Sequence, residues 1–301
     1  MKKAILATAV VMVLAFVSTL CFGVALGSQG LRAFFRDGGI LDGWSEEISD
    51  WHDVAMYGED VVDTDNRALL FSSESVELPA KDTLQITADC AKIHILRGTG
   101  ETVEVVLEQY CKRANPTSKY TLSVANDTEI HLSAASELDG AVANLLVYVP
   151  QTLQNLSVEN KLGETDIEGI TADNLSVHLY TGDLDLHRVT VKTADLRVDL
   201  GDVDLDSFVT VSERLRLDCA CGNVDFNIPA SAPFTLLYKV QNGNAETDES
   251  IPREMIRSVK RTGSTCEGEL SRTSANGNAG GRYEITVDLG NLEIDANTDA
   301  D

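Results

Sequence analysis

One short phrase constrains this chain more than anything else in it: a Gly, an acidic residue or amide, an apolar residue, an acidic residue and usually another apolar one. It occurs six times, at Gly163–Ile167, Gly182–Leu186, Gly201–Leu205, Gly222–Phe226, Gly243–Thr247 and Gly290–Ile294. The first three glycines are 19 residues apart and the next two steps are 21. Recurrence near 20 residues is the mark of a solenoid, in which each unit is one coil stacked on its neighbour.

The residues around each phrase alternate with the period of a strand. Leu175, Val177 and Leu179 lead to Gly182, and Leu184 and Leu186 follow it. Leu196, Val198 and Leu200 lead to Gly201, then Val203 and Leu205; Leu215 and Leu217 lead to Gly222, then Val224, Phe226 and Ile228. Each coil therefore reads as two short strands, aliphatic inward and polar outward, with the glycine at the corner between them. A left-handed backbone or a close approach to the next coil excludes a Cβ at such a corner. The predicted fold is all-β: a β-solenoid of about 20-residue coils, each coil giving a single strand to each face. The alternation begins at Val76, and the more irregular strands from there to Pro150 include candidates for hairpins. After Pro229 the order loosens, residues 248–281 read as a polar insertion, and Tyr283–Leu289 resume the pattern.

The N-terminus carries a different signal. After Met1-Lys2-Lys3 no charged residue occurs until Arg32, and the 24 residues from Ala4 to Gly27 are almost wholly apolar. That length spans a hydrocarbon core of roughly 30 Å, and exceeds the usual h-region of a cleaved signal peptide, the rival reading. The expected organisation is a transmembrane signal anchor at 1–27, a juxtamembrane helix and tether at 28–75, and the solenoid at 76–301. Lys2 and Lys3 favour a cytoplasmic N-terminus, so the expectation is a single-pass cell-membrane protein with its C-terminal domain extracellular. In the linker, Trp44, Ile48, Trp51 and Ala55 fall at helical spacing with acids on the other faces.

Charge narrows the function classes. With 24 basic and 48 acidic residues the net charge is −24, which excludes a nucleic-acid footprint and favours cations or cationic partners. The only concentrated basic surface is expected from Arg253, Arg257, Lys260, Arg261 and Arg272. Cys219 and Cys221 are two apart on a strand and point the same way, so they do not easily bridge. A Cys90–Cys111 disulfide is an alternative to buried thiols. No two-pair zinc spacing exists, and the five His residues are scattered.

A membrane-first layout followed by strand-glycine-acid coils of the type Leu-x-Val-x-x-x-x-Gly-Asp-x-x-Leu resembles the DUF4097 family of bacterial envelope proteins, which includes proposed adhesins. The resemblance covers roughly residues 76–301. It implies a right-handed β-solenoid on the outer side of a cell membrane, without an established catalytic site, and it assigns no functional residues.

Three functions compete on the residues themselves. Stacked coils about 4.8 Å apart would set Asp183 near Asp202 and Asp185 near Asp204, a possible Ca²⁺ ladder on a cation-stabilised scaffold. Asp185, His187, Arg188 and Asp204 lie near one turn, the raw material of a polysaccharide-cleaving enzyme. Their repeat positions already explain them, however, and no nucleophile, base or cofactor signature accompanies them. His178 and His187 read as solvated. The favoured expectation is a non-catalytic, adhesin-like display protein or envelope-stress component, without cofactor or metal. Its expected partner is an envelope protein, a cationic peptide or a wall polymer.

Overall fold

The structure is a computed structural model that describes residues 69–296 apart from 112–116, 137, 139–140, 151, 230–231, 250 and 275–279. The expected anchor at 1–27 and the juxtamembrane helix therefore lie outside the described residues. Among the described residues no helix is long and apolar enough to cross a membrane.

The first strands are β1 (Leu69–Pro79), β2 (Thr83–Ala88), β3 (Lys92–Arg97), β4 (Thr102–Cys111), β5 (Tyr120–Ala125), β6 (Glu129–Ala134) and β7 (Ala141–Val149). The regular array follows as β8 (Thr152–Asn160), β9 (Thr165–Glu168), β10 (Thr171–Leu179), β11 (Leu184–His187), β12 (Thr190–Val198), β13 (Val203–Leu205), β14 (Thr210–Cys221) and β15 (Val224–Asn227). The chain ends with β16 (Phe234–Asn242), β17 (Ala245–Thr247), a 3-10 turn at Arg253–Met255, β18 (Ile256–Thr262), β19 (Thr265–Arg272), β20 (Gly281–Leu289) and β21 (Leu292–Asp295).

These strands build two sheets. One has ten strands in the order β1-β4-β7-β3-β9-β11-β13-β15-β21-β17; the other has eleven, in the order β18-β19-β16-β20-β14-β12-β10-β8-β2-β6-β5. Each coil gives one strand to each sheet, and neighbouring coils pair in parallel and in register, as in Leu175↔Leu156 and Leu175↔Ala194. One inward row runs Leu156, Leu175, Ala194, Leu215, Tyr283 and Leu236; the facing sheet contributes Ile95, Ile167, Leu186, Leu205, Phe226 and Ile294. All of these side chains are buried in one continuous core. In-register stacking puts each aliphatic side chain over its like, so a narrow core needs few aromatics.

Coil order departs from chain order at both ends. The last coil, β20–β21, lies between β14–β15 and β16–β17, and the first, β2–β3, lies between β8–β9 and β6–β7. Tyr283 explains much of the C-terminal arrangement. Its hydroxyl donates to Val209 O (3.1 Å) and accepts from the Val211 N–H (3.2 Å), while its ring meets Phe226 edge-on at 5.3 Å. This tyrosine is the largest fully buried side chain of the molecule's described residues, and it is tied to the start of β14.

The strand region also begins earlier than Val76. Leu69–Ser75 belong to β1, antiparallel to β4, rather than to a tether. The polar insertion at 248–281 contains the antiparallel hairpin β18–β19, which extends the eleven-stranded sheet past β16. Antiparallel strands likewise close the other end, β4 and β1 in one sheet and β5 in the other. Such hairpins cover core that a bare coil end would expose.

Candidate functional site

The corner residues of each phrase are structural to a degree that their polarity conceals. Gly182 and Gly201 have φ of +137° and +148°, and a Cβ on either would collide with the carbonyl of the glycine one coil below, Gly163 and Gly182 respectively. Only a residue without a Cβ permits both the left-handed backbone and this approach. The stack continues through Gly222, Gly290 and Gly243, in that spatial order.

In four of the six phrases the residue after the glycine ties the corner to the next coil. Asp183 Oδ1 accepts the Asp202 N–H at 2.7 Å, and Asp202 Oδ1 accepts the Asn223 N–H at 2.6 Å. Asn223 Oδ1 then accepts from Asn291 N–H (3.2 Å), and Asn291 Oδ1 from Asn244 N–H (3.1 Å). Asp and Asn are interchangeable here because only a side-chain acceptor is required. Asp183 and Asp202 are thus corner ties between coils.

The fourth residue of each phrase forms a long row of like charge. Asp166, Asp185, Asp204, Asp225, Glu293 and Glu246 stand in register on the outer face of the ten-stranded sheet. Coil β2–β3 ends the row with basic side chains: His94 Nδ1 lies 2.9 Å from Asp166, and Lys92 Nζ lies 2.6 Å from Glu164 and 3.7 Å from Asp166. Against the cost of burial, His94 and Lys92 hold the Asp166 carboxyl below its ordinary range. At the next member, burial, then the charges of Asp166 and Asp204, push Asp185 up to about 7; the charge of His187 lowers it by less than these opposing effects raise it. Burial followed by Glu293 and Asp204 pushes Asp225 up to about 6, and burial raises Asp204. One carboxylate oxygen, Asp204 Oδ1, is buried without a hydrogen-bond partner. Carboxylates in a row resist ionising together, and a shared proton or a cation relieves them.

The residues weighed for catalysis do not assemble. Asp185 and Asp204 are neighbours in the row, but His187 turns to Asp206 (3.6 Å), whose hydrogen bond raises the imidazole pKa. Arg188 sits at a left-handed φ of +54° and pairs with Glu168. Opposite, on the eleven-stranded sheet, a shallow groove of about 560 Å³ is lined by Asn155, Ser157, Asn174, Ser176 and Thr193 among others. None of the weighed carboxylates lines it. His178, read as solvated, stacks on Tyr180 at 4.1 Å and meets Asp199 at 3.3 Å. Among the described residues no group of three or more His, Cys, Asp or Glu is arranged to hold a metal ion. The Cys90–Cys111 disulfide is not formed, and burial pushes the Cys219 thiol up to about 12.

The sequence signal for the row was the phrase itself. Reading it along the chain paired Asp185 with Asp204 but left out Glu293, Glu246 and the terminating His94, whose adjacency depends on coil order.

None of the curated proteins matches the chain. Among solved structures, the chain is similar to a proposed cell adhesion protein from Clostridium sporogenes, at 10% identity and a TM-score of 0.38, over 74% of this chain and 98% of that one. It is also similar to a proposed adhesin from Bacteroides fragilis, at 12% identity and a TM-score of 0.41, over 74% of this chain and 97% of that one. A proposed adhesin from Parabacteroides distasonis aligns at 8% identity and a TM-score of 0.33, over 74% and 97% of the two chains. The family model is more decisive, because it matches the repeat itself: Toastrack DUF4097 matches residues 81–228 and, in a second overlapping match, 117–295. With the strand-glycine-acid coils, the in-register stack and this match together, the chain belongs to the Toastrack DUF4097 family.

Proposed function

We propose that this chain is a non-catalytic, adhesin-like interaction protein of the cell envelope. It is held by its apolar N-terminal segment, with the N-terminus cytoplasmic and the solenoid outside, and it binds a partner that carries a cationic segment. The observation that carries this reading is the carboxylate row from Asp166 to Glu246, set in register on an open sheet face. A flat array of fixed like charges suits an extended cationic chain, whereas hydrolysis of a polysaccharide needs an acid and a base facing each other across a bound sugar. An envelope protein with a basic stretch fits this surface better than an anionic wall polymer, which the net charge of −24 repels.

Photo-crosslinking in intact cells tests the proposal, with the reactive side chain placed at Asp225 or Glu293 and, for comparison, at Ser176 on the other sheet. The expected result is one recurrent adduct from the row positions, mapped to a basic segment and weakened by Asp185→Asn with Asp204→Asn. An adduct from Ser176 alone, or sugar-polymer cleavage abolished by the same substitutions, overturns it.

A further inference from the structure

The two longest unpaired edges of the molecule carry opposite charge. At one end of the stack β1 is the last strand of its sheet; at the other, β18 is the last strand of the second sheet, and among the described residues no strand pairs with the outer edge of either. β1 runs eleven residues, Leu69–Pro79, with Glu74 and Glu77 as its only charges. β18 runs seven, Ile256–Thr262, with Arg257, Lys260 and Arg261 as its only charges. The three most exposed large apolar side chains among the described residues stand on these two edges: Leu69 is 72% exposed, Leu70 50% and Val259 57%.

An unpaired edge presents a row of N–H and C=O groups that another strand can take up, and proteins guard such edges with charge. Guarding explains charge but not its sign. Like charges forbid β1 from pairing with β1 and β18 with β18, while the opposite signs permit β1 to pair with β18. Glu74 and Glu77 are three residues apart, as are Arg257 and Lys260. An antiparallel register that sets Glu74 opposite Lys260 brings Glu77 to the Arg257 end of β18, where the strand bulges between Ile256 and Ser258.

We propose that copies of this protein associate head to tail, β1 of one copy adding to the edge of β18 of the next. The contact joins different surfaces on the two partners, so it does not close on itself and can propagate. It is steered by charge and made by backbone hydrogen bonds, with Val259 and Leu69–Leu70 adding apolar contact.

Sedimentation velocity of the full-length chain in mild detergent tests this. The expected result is a series of species larger than the monomer that grows with concentration at about 0.02 M salt and disperses at about 0.5 M. Glu74→Lys with Glu77→Lys, and separately Arg257→Glu with Lys260→Glu, should each give monomer at low salt, with cooperative melting by circular dichroism retained. Mixing the two variants should restore association, since each then offers the sign the other lacks. A wild-type chain that stays monomeric at low salt overturns the proposal. So does association that survives both charge reversals, or that mixing fails to restore; the edge of β18 would then face a different molecule or only solvent.

Discussion

Asp185 is where the carboxylate row is most strained. Its neighbours Asp166 and Asp204 stand one strand away on either side, and burial with their charges lifts its pKa to about 7 from 3.8 in the unfolded chain. A carboxyl whose folded pKa is raised opposes folding when ionised. The cost is absent below about pH 4, grows as pH rises, and is complete above pH 7. Asp185→Asn keeps the shape, still donates to Asp166, and removes that cost. The expected outcome is a gain of about 1–2 kcal/mol at pH 8, discounted for the water-facing side of the row, or roughly 3–6 °C in Tm. At pH 4 wild type and variant should melt together. Thermal melts at both pH values check this, and a variant equally stabilised at pH 4 would point to packing instead of charge. The change leaves His94 and Lys92 on Asp166, so the basic end of the row stays intact.

The coil is the next scale, and its corner decides whether coils can stack. Gly201 combines φ of +148° with the Gly182 carbonyl directly where a Cβ would go, and that carbonyl belongs to backbone that is itself hydrogen-bonded on both sides. Gly201→Ala should therefore cost at least about 3 kcal/mol, since both backbone strain and displacement of a coil are involved. Gly263, in the β18–β19 turn, also has a left-handed φ, +62°, but open space around its Cβ position. Gly263→Ala should cost only about 1–2 kcal/mol. Urea unfolding of both variants separates steric stacking from backbone preference; equal losses would show that the stack contributes nothing beyond conformation. The corner was largely legible in the sequence because its rules are local: strand alternation, glycines 19 to 21 residues apart from Gly163 to Gly243, and an Asx beside all but the first. The role of that Asx was not legible. Asp183 and Asp202 look like surface acids until the N–H groups they accept, one coil further on, are in view.

At the scale of the whole molecule, the order of coils was the part hidden from the sequence. Every coil offers the same parallel edge, so the pattern at 234–247 fits against β14–β15 as well as the pattern at 281–295 does. Only a side chain such as Tyr283, reaching Val209 and Val211, discriminates between them. This has a consequence for truncation. In a solenoid stacked in chain order, deleting the C-terminal coil peels one layer and leaves the rest. Here, among the described residues, β20 and β21 are the strands that join β14–β15 to β16–β17 in the two sheets. A chain ending at Ser274 loses the burial of Tyr283, Ile285, Val287, Leu292 and Ile294, worth about 1.5–3 kcal/mol for each large side chain. It also leaves β16, with its hairpin β18–β19, no parallel partner. Amide exchange of the truncated chain should show β16–β19 unprotected while β8 to β13 stay protected, since their neighbours on both sides remain. Protection of β16–β19 at the full-length level would mean that β16 docks directly on β14, and that the inserted coil is a choice between two stacks of nearly equal stability.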